Sequence, residues 1–131
     1  MTSRASGTHV LVATDFSEHA AAAYAAGVEM ARGLGAPLQV LHVSDARSAL
    51  QQPDPEAWLH GVGLAGEDLV TRDGVPWLEI LSYSEDLPAA VVIVGTQGQS
   101  ASSIQVPGTT TLSLLRYSRI PVMVVPVPLP E

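Results

Sequence analysis

The stretch AAVVIVGTQGQSASSIQVPGTT, Ala89 to Thr110, joins an uninterrupted apolar run to a segment rich in glycine and hydroxyls. AAVVIV, Ala89 to Val94, shows no polar alternation, the pattern of a strand covered by helices on both faces. GTQGQSASSIQVPGTT, Gly95 to Thr110, is too polar for a core and reads as a loop. TTTLSLLRYSR then predicts a helix, with Leu112, Leu115 and Tyr117 toward the core, and IPVMVVPV, Ile120 to Val127, predicts a closing strand. Strand, glycine loop and helix together form the unit of an α/β chain, so the remaining sequence should repeat it.

Upstream it does. HVLVAT, His9 to Thr14, is a short β-branched strand, and Ser17 is a fitting N-cap for EHAAAAYAAGVEMARGL. Tyr24, Val28, Ala31 and Leu34 recur there at helical spacing, the alanines allow close packing, and Gly35 supplies a left-handed C-cap. LQVLHV, Leu38 to Val43, is the second strand. From Ser44 to Asp68 the pattern weakens to a loop and a short helix around Trp58, Leu59 and Val62. DLVTRD is a third strand, and Pro76 stands in the first turn of the helix PWLEILSYSEDL, with Trp77, Leu78 and Leu81 inward. Strands alternating with helices predict one doubly wound α/β domain with a five-stranded, mostly parallel sheet over the 131 residues.

Composition narrows the function. The chain carries six arginines, no lysine and 13 acidic residues, a formal net charge of -7. Nothing in that balance would displace counterions from nucleic acid or hold an anionic membrane, so neither is expected as a partner. A phosphate ligand would have to be held by main-chain N–H groups or through a metal. The absence of cysteine excludes thiol catalysis, disulfides and thiolate zinc sites. No apolar run approaches membrane length and MTSRASGTH lacks a signal-peptide core, so the protein is expected in the cytoplasm.

In open α/β sheets ligands bind beyond the carboxyl ends of strands whose connections leave to opposite faces. If the first and fourth strands are neighbours, ATDFS and the loop from Gly95 to Thr110 meet there. Gly95 and Gly98 allow backbone angles closed to other residues and close approach of N–H groups to a ligand. Gly108, Thr109 and Thr110 begin a helix, whose unpaired N–H groups and dipole favour an anion. The parts add up to a phosphate cradle.

The spacing is Gly95, two residues, Gly98, nine residues, Gly108, then Thr109. It resembles the G-x2-G-x9-G-[ST] pattern of the ATP-binding branch of the universal stress protein family. VLVATDFSEHAAAA, LQVLHVSD, VTRDGVPWLEIL and IPVMVVP are similar to that family's other segments, so the resemblance spans nearly the whole chain. It implies a sheet in the order 3-2-1-4-5 with ATP, or AMP, between the first and fourth strands. It also implies that main-chain Val43 meets the adenine and that Ala13, Thr14 and Asp15 line the nucleoside side. Gly95, Thr96, Gln97, Gly98, Gln99, Ser100 and Ala101 would wrap ribose and phosphates, and Gly108, Thr109, Thr110 and Thr111 would take the phosphate tail. A homodimer through the last strand, Ile120 to Val127, is implied as well.

The sequence departs from the pattern at Gln97 and Gln99, where many ATP-binding members carry arginine, so two charge-assisted contacts are replaced by amides. Arg116 lies seven residues past Thr109, about 10 Å along a helix, and does not replace them. Binding is therefore expected to involve Mg²⁺ or Mn²⁺, with Asp15 near the metal; the same carboxylate is equally suited to capping the first helix.

Enzymatic readings fare less well. Ser17, Glu18 and His19 spell a triad but are adjacent on a helix and cannot form a relay. GQSAS, Gly98 to Ser102, misses the final glycine of a nucleophile elbow. His9, His19, His42 and His60 show no ligand-pair spacing, and Trp58 and Trp77 read as core anchors. The resemblance therefore implies an ATP-binding regulatory or sensing module of the stress response. The alternatives are a slow ATPase or nucleotidyl-transfer enzyme, and a dimeric interaction module that binds no nucleotide.

Overall fold

The computed structural model describes residues 7–44, 55–64, 68–96 and 108–126. Strands β1 (His9–Thr14), β2 (Leu38–Ser44), β3 (Leu69–Asp73), β4 (Ala89–Gly95) and β5 (Val122–Val125) alternate with helices α1 (Glu18–Leu34), α2 (Pro55–Val62), α3 (Pro76–Asp86) and α4 (Thr109–Tyr117). The strands form one sheet in the order β3-β2-β1-β4-β5, with every neighbouring pair parallel. The expected topology is observed.

Successive strand residues face opposite sides, and both sides are covered. Val10, Val12, Val40 and Ile93 pack with Ala23 and Ala31 of α1. Leu11, Leu41, Val43, Val92 and Val94 pack with Ile80 of α3 and Leu114 of α4. This double coverage is why β1, β2 and β4 carry their longest apolar runs on both faces, with polar residues mostly at their ends. Helix α1 lies close to the sheet because its buried stripe is Ala20, Ala23, Gly27 and Ala31; a Cβ on Gly27 would run into the Val12 side chain. Ser17 caps the helix by accepting the Ala20 N–H at 3.2 Å, and Gly35 ends it at φ 63°, as the sequence predicts. Leu34, the last member of the predicted spacing, is exposed.

Two helix faces differ from expectation. In α4 the buried residues are Thr111 and Leu114, whereas Leu112, Leu115 and Tyr117 are all more than half exposed. In α3 the inward residues are Ile80 and Ser84, with Trp77 and Leu81 packed beside them, and Leu78 is exposed. The reason is hydrogen bonding. The Thr111 hydroxyl donates to the Gly95 carbonyl at 2.9 Å and the Ser84 hydroxyl to the Leu81 carbonyl at 2.8 Å. A satisfied hydroxyl can be buried at little cost, so Thr111 turns inward in α4 with Leu112 and Leu115 outward, and Ser84 is tolerated inside α3. Tyr117 instead stacks on Trp77, with ring centroids 5.2 Å apart. The last strand is shorter than the predicted Ile120 to Val127: it begins at Val122 after Pro121, whose carbonyl accepts the Val92 N–H at 2.9 Å, and Val127 lies outside the described residues.

Candidate functional site

Helix α1 follows β1 onto one face of the sheet, and α4 follows β4 onto the other. The carboxyl ends of β1 and β4 are therefore the switch point at which a crevice opens. Ala13, Thr14 and Asp15, then Gly95 and Thr96, come from its two central strands; Val43 comes from the end of β2, and Gly108 to Thr111 from the start of α4. Gln97, Gly98, Gln99, Ser100 and Ala101 lie outside the described residues.

The turn from β1 to α1 is built from its own side chains. The Phe16 N–H donates to Thr14 Oγ1 at 2.9 Å and the Ser17 N–H to Asp15 Oδ1 at 3.0 Å. These two overlapping side-chain turns place Phe16 at φ 66°, in the left-handed region. Its ring is buried against His42, with centroids 4.3 Å apart, and edge-on to Trp58 at 5.6 Å. Trp58 donates its indole N–H to the Ser17 carbonyl at 3.0 Å, fixing α2 to the same turn. His42 is buried, with Nδ1 2.9 Å from the Thr14 carbonyl. A carbonyl only accepts, so Nδ1 carries the proton in that bond. His42 and Trp58 thus pack the turn between β1 and α1 in place.

Across the crevice, the Gly95–Thr96 pair is held from both sides. The Gly108 N–H donates to the Thr96 carbonyl at 2.8 Å, and the Thr111 hydroxyl holds the Gly95 carbonyl. The loop that starts at Gly95 is therefore closed at its root onto the first turn of α4. On the other side, a Cβ on Gly95 would meet the main-chain carbonyl of His19 at 2.8 Å. Gly95 does not take a positive φ, so this glycine is required by the close approach of α1, and not by the backbone freedom expected from the sequence. His19 also brings Nδ1 to 3.3 Å from the Thr96 hydroxyl. The sequence reading missed this contact, which links residues 77 positions apart. Its signal is the β1–β4 neighbourhood, which places the first turn of α1 beside the end of β4.

The chemistry presented is donation. Helix α4 has Gly108, which carries no side chain, at its N-cap, and the first-turn N–H groups of a helix form the positive end of its dipole. Thr111 commits its hydroxyl to Gly95 and is buried, so it can offer a ligand only its main chain. Thr109 and Thr110 are more accessible. Asp15 puts a carboxylate at the end of β1. Among the described residues no three His, Asp or Glu side chains gather as a metal-binding group, and no helix is long and apolar enough to cross a membrane.

Comparison with known proteins agrees with this fold. The model of the universal stress protein family matches residues 7–61 and 60–126. Among solved structures, the hypothetical protein MJ0577, the subject of a structure-based assignment of biochemical function, is 25% identical with a TM-score of 0.72, covering 95% of this chain and 99% of that one. The universal stress protein UspA from Lactobacillus plantarum is 22% identical with a TM-score of 0.67, covering 92% and 99%. A universal stress protein in complex with cAMP is 19% identical with a TM-score of 0.64, covering 92% and 98%. No curated protein sequence matches the chain.

Proposed function

Because the chain belongs to the universal stress protein family, we propose that the β1–β4 crevice binds an adenine nucleotide, ATP or AMP, and that the protein acts as a regulatory or sensing module of the stress response. The observation that carries the reading is the start of α4: a helix N-terminus with glycine at its N-cap, tied through Gly108 and Thr111 to the end of β4. Such an end favours a phosphate without needing lysine or arginine, which suits a chain with no lysine. The complex of a related fold with cAMP supports a nucleotide as the ligand class.

In this reading Val43, Ala13, Thr14 and Asp15 line the nucleoside side, Gly95 to Ala101 follow the ribose and phosphates, and main-chain N–H groups of Thr109, Thr110 and Thr111 take the phosphate tail. Mg²⁺ or Mn²⁺ would arrive with the nucleotide and offset its charge, since the crevice has no preformed metal cluster among the described residues; Asp15 would face it. Two copies would pair through β5, the edge strand flanked by Pro121 and Pro126.

Calorimetric titration with ATP and Mg²⁺ tests the reading directly, and the expected result is saturable binding with one nucleotide per chain. No heat at millimolar nucleotide with the folded protein overturns it. Mass spectrometry of nucleotide carried through purification separates it from a module that binds none.

A further inference from the structure

Between His19 and Thr96 the structure holds a contact that the nucleotide reading does not use. Gly95 lets the first turn of α1 come so close that any side chain there would collide with the His19 main chain, and this closeness carries His19 Nδ1 to 3.3 Å from Thr96 Oγ1. Thr96 is otherwise fixed through its carbonyl by the Gly108 N–H. Its hydroxyl, one residue past the end of β4, is thus the side-chain group that His19 contacts.

A threonine hydroxyl has one proton and two acceptor positions. If His19 Nδ1 accepts, Thr96 gives its proton to that bond and turns lone pairs toward the crevice, which repels a phosphate oxygen. If Nδ1 carries hydrogen and donates, the Thr96 O–H is left to donate to the ligand. The state of one imidazole nitrogen thereby decides whether this hydroxyl suits an anion. The described crevice residues include no lysine or arginine, so each neutral donor matters to anion recognition.

We infer that His19 is a positioning residue of the crevice: with hydrogen on Nδ1 it holds the Thr96 hydroxyl so that its proton points at a phosphate oxygen of the bound nucleotide. The inference rests on the nucleotide reading above. It makes ligand and imidazole reciprocal, because an anion that needs the Thr96 proton selects the Nδ1–H form, and that form favours the anion.

The test is calorimetry with ATP and Mg²⁺ on the full chain and on His19→Ala, Thr96→Val, the double variant and His19→Asn, with thermal melts showing that each is folded. Each of the first two substitutions should weaken binding roughly fivefold to tenfold, the worth of one hydrogen bond. The double variant should bind no more weakly than either single one, because both remove the same contact. His19→Asn puts an amide where Nδ1 stood and should restore affinity to within about twofold, a rescue that one neutral hydrogen bond of this size allows. In the wild-type chain, ¹⁵N spectra of the His19 ring should move toward the Nδ1-protonated form as ATP is added. Unchanged affinity in His19→Ala, losses that multiply in the double variant, or an Nδ1 signal that does not move overturns the inference while the nucleotide reading stands. No binding by the wild-type chain overturns both.

Discussion

The hydroxyl of Thr111 donates to the carbonyl of Gly95 at 2.9 Å, joining the first turn of α4 to the last residue of β4 across the loop between them. Thr111 is only 4% exposed, so its hydroxyl has little access to replacement water. Thr111→Val keeps the shape and removes the donor, leaving a carbonyl short of a partner. We expect a loss of about 1–3 kcal/mol in urea unfolding. Thr111→Ser keeps the donor and should lose less than half as much. Equal losses in the two variants would assign the effect to packing and not to the bond.

Glycine substitutions should separate two meanings of the residue. At Gly95 an added methyl lies 2.8 Å from the His19 carbonyl oxygen, so α1 must shift; overpacking of this kind costs about 1–3 kcal/mol. Gly33 sits in α1 without positive φ, and a methyl added there would meet nothing within 4 Å. Gly33→Ala should therefore stabilise the protein by about 0.5–1 kcal/mol through helix propensity. Denaturant titrations of both variants against the wild type check the opposite signs.

The alternation of strands and helices was legible because β1, β2 and β4 are apolar on both faces and the caps at Ser17 and Gly35 follow local chemistry. The inward faces of α3 and α4 were not. In α4 the pairs Leu112 with Leu115 and Thr111 with Leu114 have identical spacing, and hydropathy favours the first pair. Only the Gly95 carbonyl, reached through the tertiary fold, selects the second. In α3 Ser84 is buried while Leu78 is exposed, the Ser84 hydroxyl being satisfied inside its own helix by the Leu81 carbonyl. The site was read as a set of strand-end loops, and the neighbouring of β1 and β4 on which that reading depends is observed. The reason for Gly95 was not legible, because its neighbour His19 is brought there by the pairing of β1 with β4, which no local pattern encodes.

The α4 face gives a direct comparison. Leu114 is fully buried in the core with Leu11, Val92 and Ile80, so Leu114→Ala should cost about 2–5 kcal/mol. Leu112→Asp and Leu115→Asp alter residues more than half exposed and should stay within about 0.5 kcal/mol each. Thermal melts of the three variants decide the face; a collapse of either aspartate variant would mean that those leucines are covered in solution.

Phe16 sets two effects against each other. A left-handed backbone costs an L-residue roughly 1–2 kcal/mol, and Phe16 takes it at φ 66°. The ring offsets this by burial against His42 and Trp58, worth about 1.5–3 kcal/mol relative to exposure. Phe16→Ala loses the ring and keeps the backbone penalty, so it should cost about 3–5 kcal/mol. Phe16→Gly loses the same ring but relieves the penalty, and should be more stable than the alanine variant by about 1 kcal/mol, although glycine is ordinarily the more destabilising residue. Urea unfolding of both variants, followed by the emission of Trp58 and Trp77, measures the difference. An alanine variant as stable as the glycine one, or more so, would show that the turn holds no such penalty and that Thr14 and Asp15 shape it without strain.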